Sequence, residues 1–213
     1  MNPGSRNPAR WTREDFSVDP QTIAQKLIGA LLVRTLDGGE RLSGMIVETE
    51  AYFGVKDKAA HSYGGRRTAR TEPMYGIPGT AYVYFTYGMH HCMNVVCGAK
   101  DEPVAALIRA LEPIEGIDLI RRNRAKGKKR KAPLSETDLC SGPAKLCQAF
   151  SIDRTFSGAD LVGNKSLTIE HCPNNYTTND LVRSSRIGIN YAQEWASRPL
   201  RWHLDQNRHV SRN

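Results

Sequence analysis

No stretch of the 213-residue chain reaches the ~18 consecutive apolar residues that a membrane-spanning helix needs. The segment Met1 to Arg13 is polar and has no apolar core of a secretory signal, so residues 1–15 read as a flexible tail. Cysteine is scarce and unpatterned: Cys92, Cys97, Cys140, Cys147 and Cys172 are odd in number, and no two are spaced Cys-x-x-Cys. Neither a disulfide framework nor a zinc site is indicated, and free thiols imply a reducing, intracellular setting. There is no internal repeat and no linker clean enough to divide the chain. Strands and helices do not alternate regularly, which argues against a parallel α/β sheet and for an α+β layout around an antiparallel one.

What is abundant is positive charge. Thirty Lys and Arg against twenty-two Asp and Glu give a formal charge of +8. That balance suits a polyanionic partner, nucleic acid being the commonest, although a merely basic protein would have it too. A chain of this length buries roughly 70% or more of its extended surface, so one substantial core is expected.

The stretch Gly44-Met-Ile-Val-Glu-Thr-Glu-Ala-Tyr-Phe-Gly54 reads as a strand, β-branched and apolar with Gly at either end. Strict alternation puts Glu48, Glu50 and Tyr52 on one face and Met45, Val47, Thr49 and Ala51 on the other. With the Met/Val face in the core, a rigid element would present two carboxylates and an aromatic ring, a general base beside a stacking platform. The plainer alternative is a half-exposed strand with a solvated Glu pair.

Around it the chain reads as follows. Asp19-Pro20 caps and opens a helix, Gln21 to Ile28, closed by Gly29. A strand at Leu31–Leu36 and the turn Asp37-Gly38-Gly39 lead into the Glu50 strand. A loop carries His61, then Gly64-Gly65-Arg66-Arg67-Thr68-Ala69-Arg70, where Arg66 and Arg70 could reach phosphates. Ala81–Thr86 and His91–Val96 form a hairpin around Tyr87-Gly88-Met89. Tyr82 and Phe85 read as sheet packing, whereas Tyr84 and Tyr87 suit stacking on bases or wedging between them. Pro103 to Leu111 is an apolar strand interrupted by Arg109, which needs a Glu partner. Pro113 is expected to start a helix. Eight of the eleven residues in 121–131 are basic, a self-repelling block expected in a loop spanning 121–133. Leu139 to Ile152 reads as a helix capped by Ser141, Ser166–Glu170 and Arg186–Ile189 as strands, and Trp195 and Trp202 as core.

Several of these segments, in this order, resemble the alkyladenine (3-methyladenine) DNA glycosylase family. They are Val47-Glu-Thr-Glu-Ala-Tyr-Phe-Gly54, Ala59-Ala-His-Ser62, Pro78-Gly-Thr-Ala-Tyr-Val-Tyr84, Tyr87-Gly-Met89, Cys92-Met-Asn94, Arg109-Ala-Leu-Glu-Pro113 and Leu139-Cys-Ser-Gly-Pro-Ala-Lys-Leu-Cys-Gln-Ala149. The resemblance runs from about Pro20 to Leu204. It implies a single mixed domain, residues 16–205, with a curved antiparallel sheet flanked by helices, and a tail at 206–213. It implies no metal and no organic cofactor. Glu50 matches the family's general base and Arg109 the Arg that helps place the attacking water. Tyr52, His61 and Tyr84 match residues that sandwich the flipped base. Asn94 matches the Asn that disfavours guanine, and Tyr87 the residue that fills the gap in the duplex.

The implied activity is excision of alkylated or deaminated purines from double-stranded DNA by a monomer. The pocket segments contain no Lys, so no lyase step is expected. Two other readings fit parts of the chain. One is a non-catalytic basic nucleic-acid-binding module, which leaves Glu50 without a purpose. The other is an enzyme of free nucleosides or RNA.

Overall fold

The computed structural model describes residues 9–127, 132–172 and 180–212. Among them, eight strands join into one curled antiparallel sheet: β1 (Leu31–Thr35), β2 (Arg41–Tyr52), β3 (Ala81–Thr86), β4 (His90–Val96), β5 (Ala105–Glu115), β6 (Leu167–Glu170), β7 (Leu181–Ser184) and β8 (Arg201–Leu204). The helices are short: α1 (Arg13–Phe16), α2 (Pro20–Leu27), α3 (Ile117–Ala125) and α4 (Pro143–Ala149). This is the α+β class expected. The strand order is β3-β4-β5-β2-β1-β6, with β8 branching from β2 and β7 beyond it.

Strand β2 is the axis of the sheet. One edge pairs with β5 along most of its length. The other is shared: Arg41–Met45 pairs with β1, and Glu48–Glu50 pairs with β8. Between those halves the register with β5 slips twice. Ile46 opposes Leu111, Glu48 opposes Ala110 and Thr49 opposes Ile108, so neither Val47 nor Arg109 has a residue opposite. Such bulges re-aim side chains.

The bulge corrects the expected division of faces. Ile46 and Ala51 both join the main core, and the Thr49 hydroxyl donates to the Ala24 carbonyl of α2 at 2.7 Å. Met45 and Val47 belong to a second cluster with Leu31, Val33 and Leu204. Alternation therefore inverts at Val47, and Glu48 and Glu50 emerge on the side of Met45 and Val47 rather than opposite them. Nor is the pair solvated, because both carboxylates are 0% exposed.

Helix α2 forms as its sequence dictates. The Asp19 carboxylate accepts from the Gln21 and Thr22 amides, Pro20 takes the first position, and Ile23, Ala24 and Leu27 are buried. The β3–β4 hairpin turns on Tyr87 (φ 50°) and Gly88 (φ 67°), with the Met89 amide donating to Thr86 O at 3.3 Å. Two consecutive left-handed residues match the twist of the strands they join. Trp195 and Trp202 are core residues, as expected.

Other expectations give way to long-range pairing. Pro113 does not start a helix. It stays in β5, opposite Gly44 at another register slip, where a missing N–H is tolerated. Helix α3 starts after Gly116 (φ 73°). It takes up Arg121–Ala125 of the basic block, with Arg124 buried, while residues 128–131 lie outside the described ones. Ser141 does not cap α4, because its backbone bridges to Ala110, and Gly142 holds the cap position of a helix shorter than expected. The segment 186–189 is not a strand; Arg186 turns inward to Asp57 instead. Phe85 is 40% exposed rather than packed, while Tyr82 is buried as expected.

Both expected tails are folded where they are described. Trp11 is buried and Arg10 bridges to Glu170, so packing begins well before residue 16. At the other end Asn207 Nδ2 donates to Glu112 Oε2 at 2.8 Å, and Ser211 reaches Glu48. Local sequence carries no mark of such contacts, because each partner lies far away along the chain.

Candidate active site

A cavity of about 290 Å³ opens between the β3–β4 hairpin, the His61 loop and the segment after β7. Tyr52, His61, Tyr84, Tyr87, Asn94 and Arg109 all line it. Residues spread over sixty positions are thus gathered at one place, and the volume is at the lower end of pockets that take a small ligand, ~300–1,000 Å³.

Glu50 lies just behind this wall. Its Oε1 is ion-paired with Arg109 Nη1 at 3.1 Å and accepts from the Ile187 amide at 2.7 Å, and its Oε2 accepts from the Tyr52 hydroxyl at 2.8 Å. All three partners belong to residues that line the cavity. Burial and the neighbouring Glu50 carboxylate push the Tyr52 phenol well up, so it stays protonated and donates. The other face of the Tyr52 story is Arg186, whose guanidinium carbon lies 4.6 Å from the centre of that ring. Arg186 is fully buried and pairs with both oxygens of Asp57, at 2.6 and 2.9 Å. It also donates to the Ala51 carbonyl at 2.9 Å. The segment whose Ile187 amide holds Glu50 is therefore anchored by the residue next to it.

Glu48 does not face the cavity. Its Oε1 accepts from Arg109 Nε (2.9 Å), Arg201 Nε (2.7 Å) and Ser211 Oγ (2.9 Å), and its Oε2 accepts from the Ser211 amide (2.7 Å). Burial raises its pKa, but the Arg109 charge, the Ser211 donors and Arg201 together outweigh that and hold the carboxyl below its ordinary value. Arg109 thus joins the two carboxylates, and they in turn raise its own pKa against the effect of burial.

The aromatic wall is ordered by contacts between rings. Tyr82 and Tyr84 stack with centroids 5.4 Å apart, and His61 meets Tyr84 edge-on at 4.6 Å. His61 Nδ1 is 2.8 Å from the Tyr82 hydroxyl. Burial, reinforced by the charges of Arg70 and Arg66, pushes the His61 pKa down to about 4, so the imidazole is neutral at pH 7. Asn94 is buried, its amide donating to the Tyr82 carbonyl at 3.4 Å. Tyr87, at the hairpin tip, is 86% exposed, with Met89 exposed beside it. A neighbouring cleft lined by Lys58, Arg66 and Arg70 meets the cavity at His61 and Tyr191. A basic groove leading to an aromatic pocket over a buried carboxylate suits a polyanion that delivers a flat ring.

A family model described as Methylpurine-DNA glycosylase (MPG) matches residues 14–208. The chain belongs to that family. Its relatives include the "Putative 3-methyladenine DNA glycosylase" of Desulfitobacterium hafniense (strain Y51) and the protein of the same name from Clostridium botulinum (strain Loch Maree / Type A3). Each is 44% identical over 203 residues, spanning 95% of this chain and 98% of its own length. The methylpurine-DNA glycosylase match covers every strand of the sheet, from within α1 to just past β8.

Several groups at the candidate site carry no mark in the local sequence. Ile187 contributes a backbone N–H, which any residue but proline supplies. Asp57 and Arg186 act as a pair across 129 positions. Tyr82, read as packing, is packing and also the hydrogen-bond partner of His61. Its alternation with Tyr84 was the one available signal.

Proposed function

We propose that this DNA glycosylase flips a damaged purine from duplex DNA into the aromatic cavity and hydrolyses its N-glycosidic bond with water activated by Glu50. The observation that carries the reading is the Glu50 carboxylate, buried yet held, among the described residues, by those of the cavity wall. An ionised carboxylate offers about four lone-pair sites. Ile187 donates to Oε1, where Arg109 is ion-paired, and Tyr52 donates to Oε2, so the other lone pair of Oε2 is the place for a water. Cleavage builds positive charge on the sugar, and a fixed buried carboxylate both takes the water's proton and stabilises that charge.

Tyr52, His61 and Tyr84 enclose the base. Aromatic faces attract cationic rings by ~0.5–2 kcal/mol, which favours N-alkylated purines such as 3-methyladenine and 7-methylguanine. With Tyr82 donating to Nδ1, neutral His61 keeps a hydrogen on Nε2 to offer the base edge. That also admits hypoxanthine and ethenoadenine. Asn94 crowds the exocyclic amine of guanine. Tyr87 enters the duplex where the nucleotide has left, offsetting part of the few kcal/mol that flipping costs. Arg66 and Arg70 meet phosphates in the neighbouring cleft. No lysine is among the described residues lining the cavity, which favours simple hydrolysis without a lyase step.

The experiment is Glu50→Gln on duplexes carrying 3-methyladenine, 7-methylguanine, hypoxanthine or ethenoadenine. Binding should persist while base release falls by about a thousandfold or more, as expected when a catalytic group is removed. Undiminished release by this variant sinks the mechanism. Strand breaks formed without added alkali or lyase would overturn the monofunctional reading.

A further inference from the structure

We infer that Ser211 is a positioning residue of the reaction: it fixes Glu48, and Glu48 fixes the guanidinium of Arg109 against Glu50. The inference rests on the reading of Glu50 as the base and adds to it a residue that lies beyond the part matched by the family model.

The argument begins with the arginine. A guanidinium is a rigid planar fork, so two contacts define where its plane lies. Arg109 has one on each side, Nε to Glu48 Oε1 at 2.9 Å and Nη1 to Glu50 Oε1 at 3.1 Å, and its Nη2 also donates to the Ser211 hydroxyl at 3.5 Å. Whatever turns the Glu48 carboxylate therefore turns the group that touches Glu50. Arg109 sits at a bulge with no opposite residue in β2, so the backbone ladder does not fix it there. Its side chain is positioned by these carboxylates and, at longer range, by the Ser211 hydroxyl itself.

Glu48 is fully buried and accepts four hydrogen bonds, three crowded on Oε1 and one on Oε2. Two come from arginines and both others from Ser211. The Ser211 amide is the partner of Oε2, and the Ser211 hydroxyl shares Oε1 with the two arginines. Remove the hydroxyl and Oε1 loses one of three donors. The carboxylate is then free to draw the arginines closer, with Arg109 moving off Glu50. The segment that carries Ser211 is itself tied down: Arg201, the other partner of Glu48, donates to the Arg212 carbonyl, and Asn207 donates to Glu112. Two carboxylates and two arginines form a closed, neutral set, and the terminal segment is the part of it that a substitution can loosen without leaving a buried charge unpaired.

A residue acting this way changes the reacting geometry and leaves base and DNA contacts alone. Ser211→Ala should lower the single-turnover rate of base release by about tenfold, the scale of one hydrogen bond to a charged group. Affinity for an ethenoadenine duplex, measured in a Glu50→Gln background to prevent turnover, should change by less than about twofold, and so should the thermal midpoint's dependence on that duplex. Ser211→Thr, which keeps the hydroxyl, should restore most of the rate. A rate unaffected by Ser211→Ala overturns the inference, as does a loss of rate matched by an equal loss of affinity, which would mark a merely structural role. If Glu50→Gln alone remains active, the reading of the base has failed instead, and that result is distinguishable because Ser211 is unaltered in it.

Discussion

The Tyr52 hydroxyl donates to Glu50 Oε2 at 2.8 Å, so one residue is both a wall of the cavity and a partner of its buried carboxylate. Tyr52→Phe separates the two duties, since the ring remains and the hydroxyl goes. Affinity for lesion DNA should hold within about twofold, while the single-turnover rate changes by about tenfold, the worth of a charge-assisted hydrogen bond. Tyr52→Ala should weaken both. Binding and rate measured side by side for the two variants check this.

Tyr87 holds a left-handed backbone conformation, φ 50°, that Asn adopts more readily than Tyr. Its ring is exposed and contributes little to the folded core. Tyr87→Asn should therefore leave stability unchanged, or raise it by a few tenths of a kcal/mol, while excision from duplex DNA falls by about tenfold or more. Excision from a single strand, where no gap needs filling, should suffer far less. Equal losses on both substrates would remove the wedge.

The neutral His61 makes stability depend on pH in one direction. Its folded pKa, about 4, lies below the ordinary 6.5. As pH falls below the ordinary value, the unfolded chain takes up the proton first, so the folded state loses stability between about pH 6.5 and about pH 4 and no further from this group below that. His61→Asn should lack that component. Denaturant unfolding at about pH 7 and about pH 4.5 should show the wild type losing ground to the variant, and proton titration of the ring by NMR should place its midpoint near 4.

Asp57 and Arg186 form a pair with no exposed side-chain surface. Asp57→Asn leaves the guanidinium buried without its counter-charge, which costs about 3–5 kcal/mol. Urea unfolding should show a loss of that size, against little change on removal of the surface pair partner Glu194, which meets Lys58 at 2.9 Å. Because the Ile187 amide follows Arg186 directly, the rate of base release should fall as well.

The legible parts of the molecule were those written in local patterns. Asp19-Pro20 announced α2, the Gly-bounded apolar run announced β2, and Tyr87-Gly88 announced a tight hairpin. The family resemblance nominated Glu50, Arg109, Tyr52, His61, Tyr84, Asn94 and Tyr87, and the fold brings all of them to one cavity and its immediate back wall. What failed was whatever depends on a partner far along the chain. The inversion at Val47 belongs to its register slip against Leu111 and Ala110 of β5, and alternation within β2 alone contains no trace of it. Pro113 looks like a helix start until Gly44 is seen opposite it. The terminal residues looked like tails because Glu48 and Glu112, which hold Ser211 and Asn207, lie 163 and 95 positions away.

The charged set behind the cavity draws its members from positions 48, 109, 201 and 211. During synthesis the chain emerges from its beginning, and contacts of such separation are the slowest to close. The Glu50 strand precedes in the sequence the two arginines and the serine that complete the set behind it, and the serine follows them both. An unfinished chain can thus carry the acid without its finished setting. On the reading proposed above, a chain synthesised only as far as Leu200 would hold Glu48 and Glu50 without Arg201 and Ser211, and its hydrolysis should be weak until those residues have joined the fold.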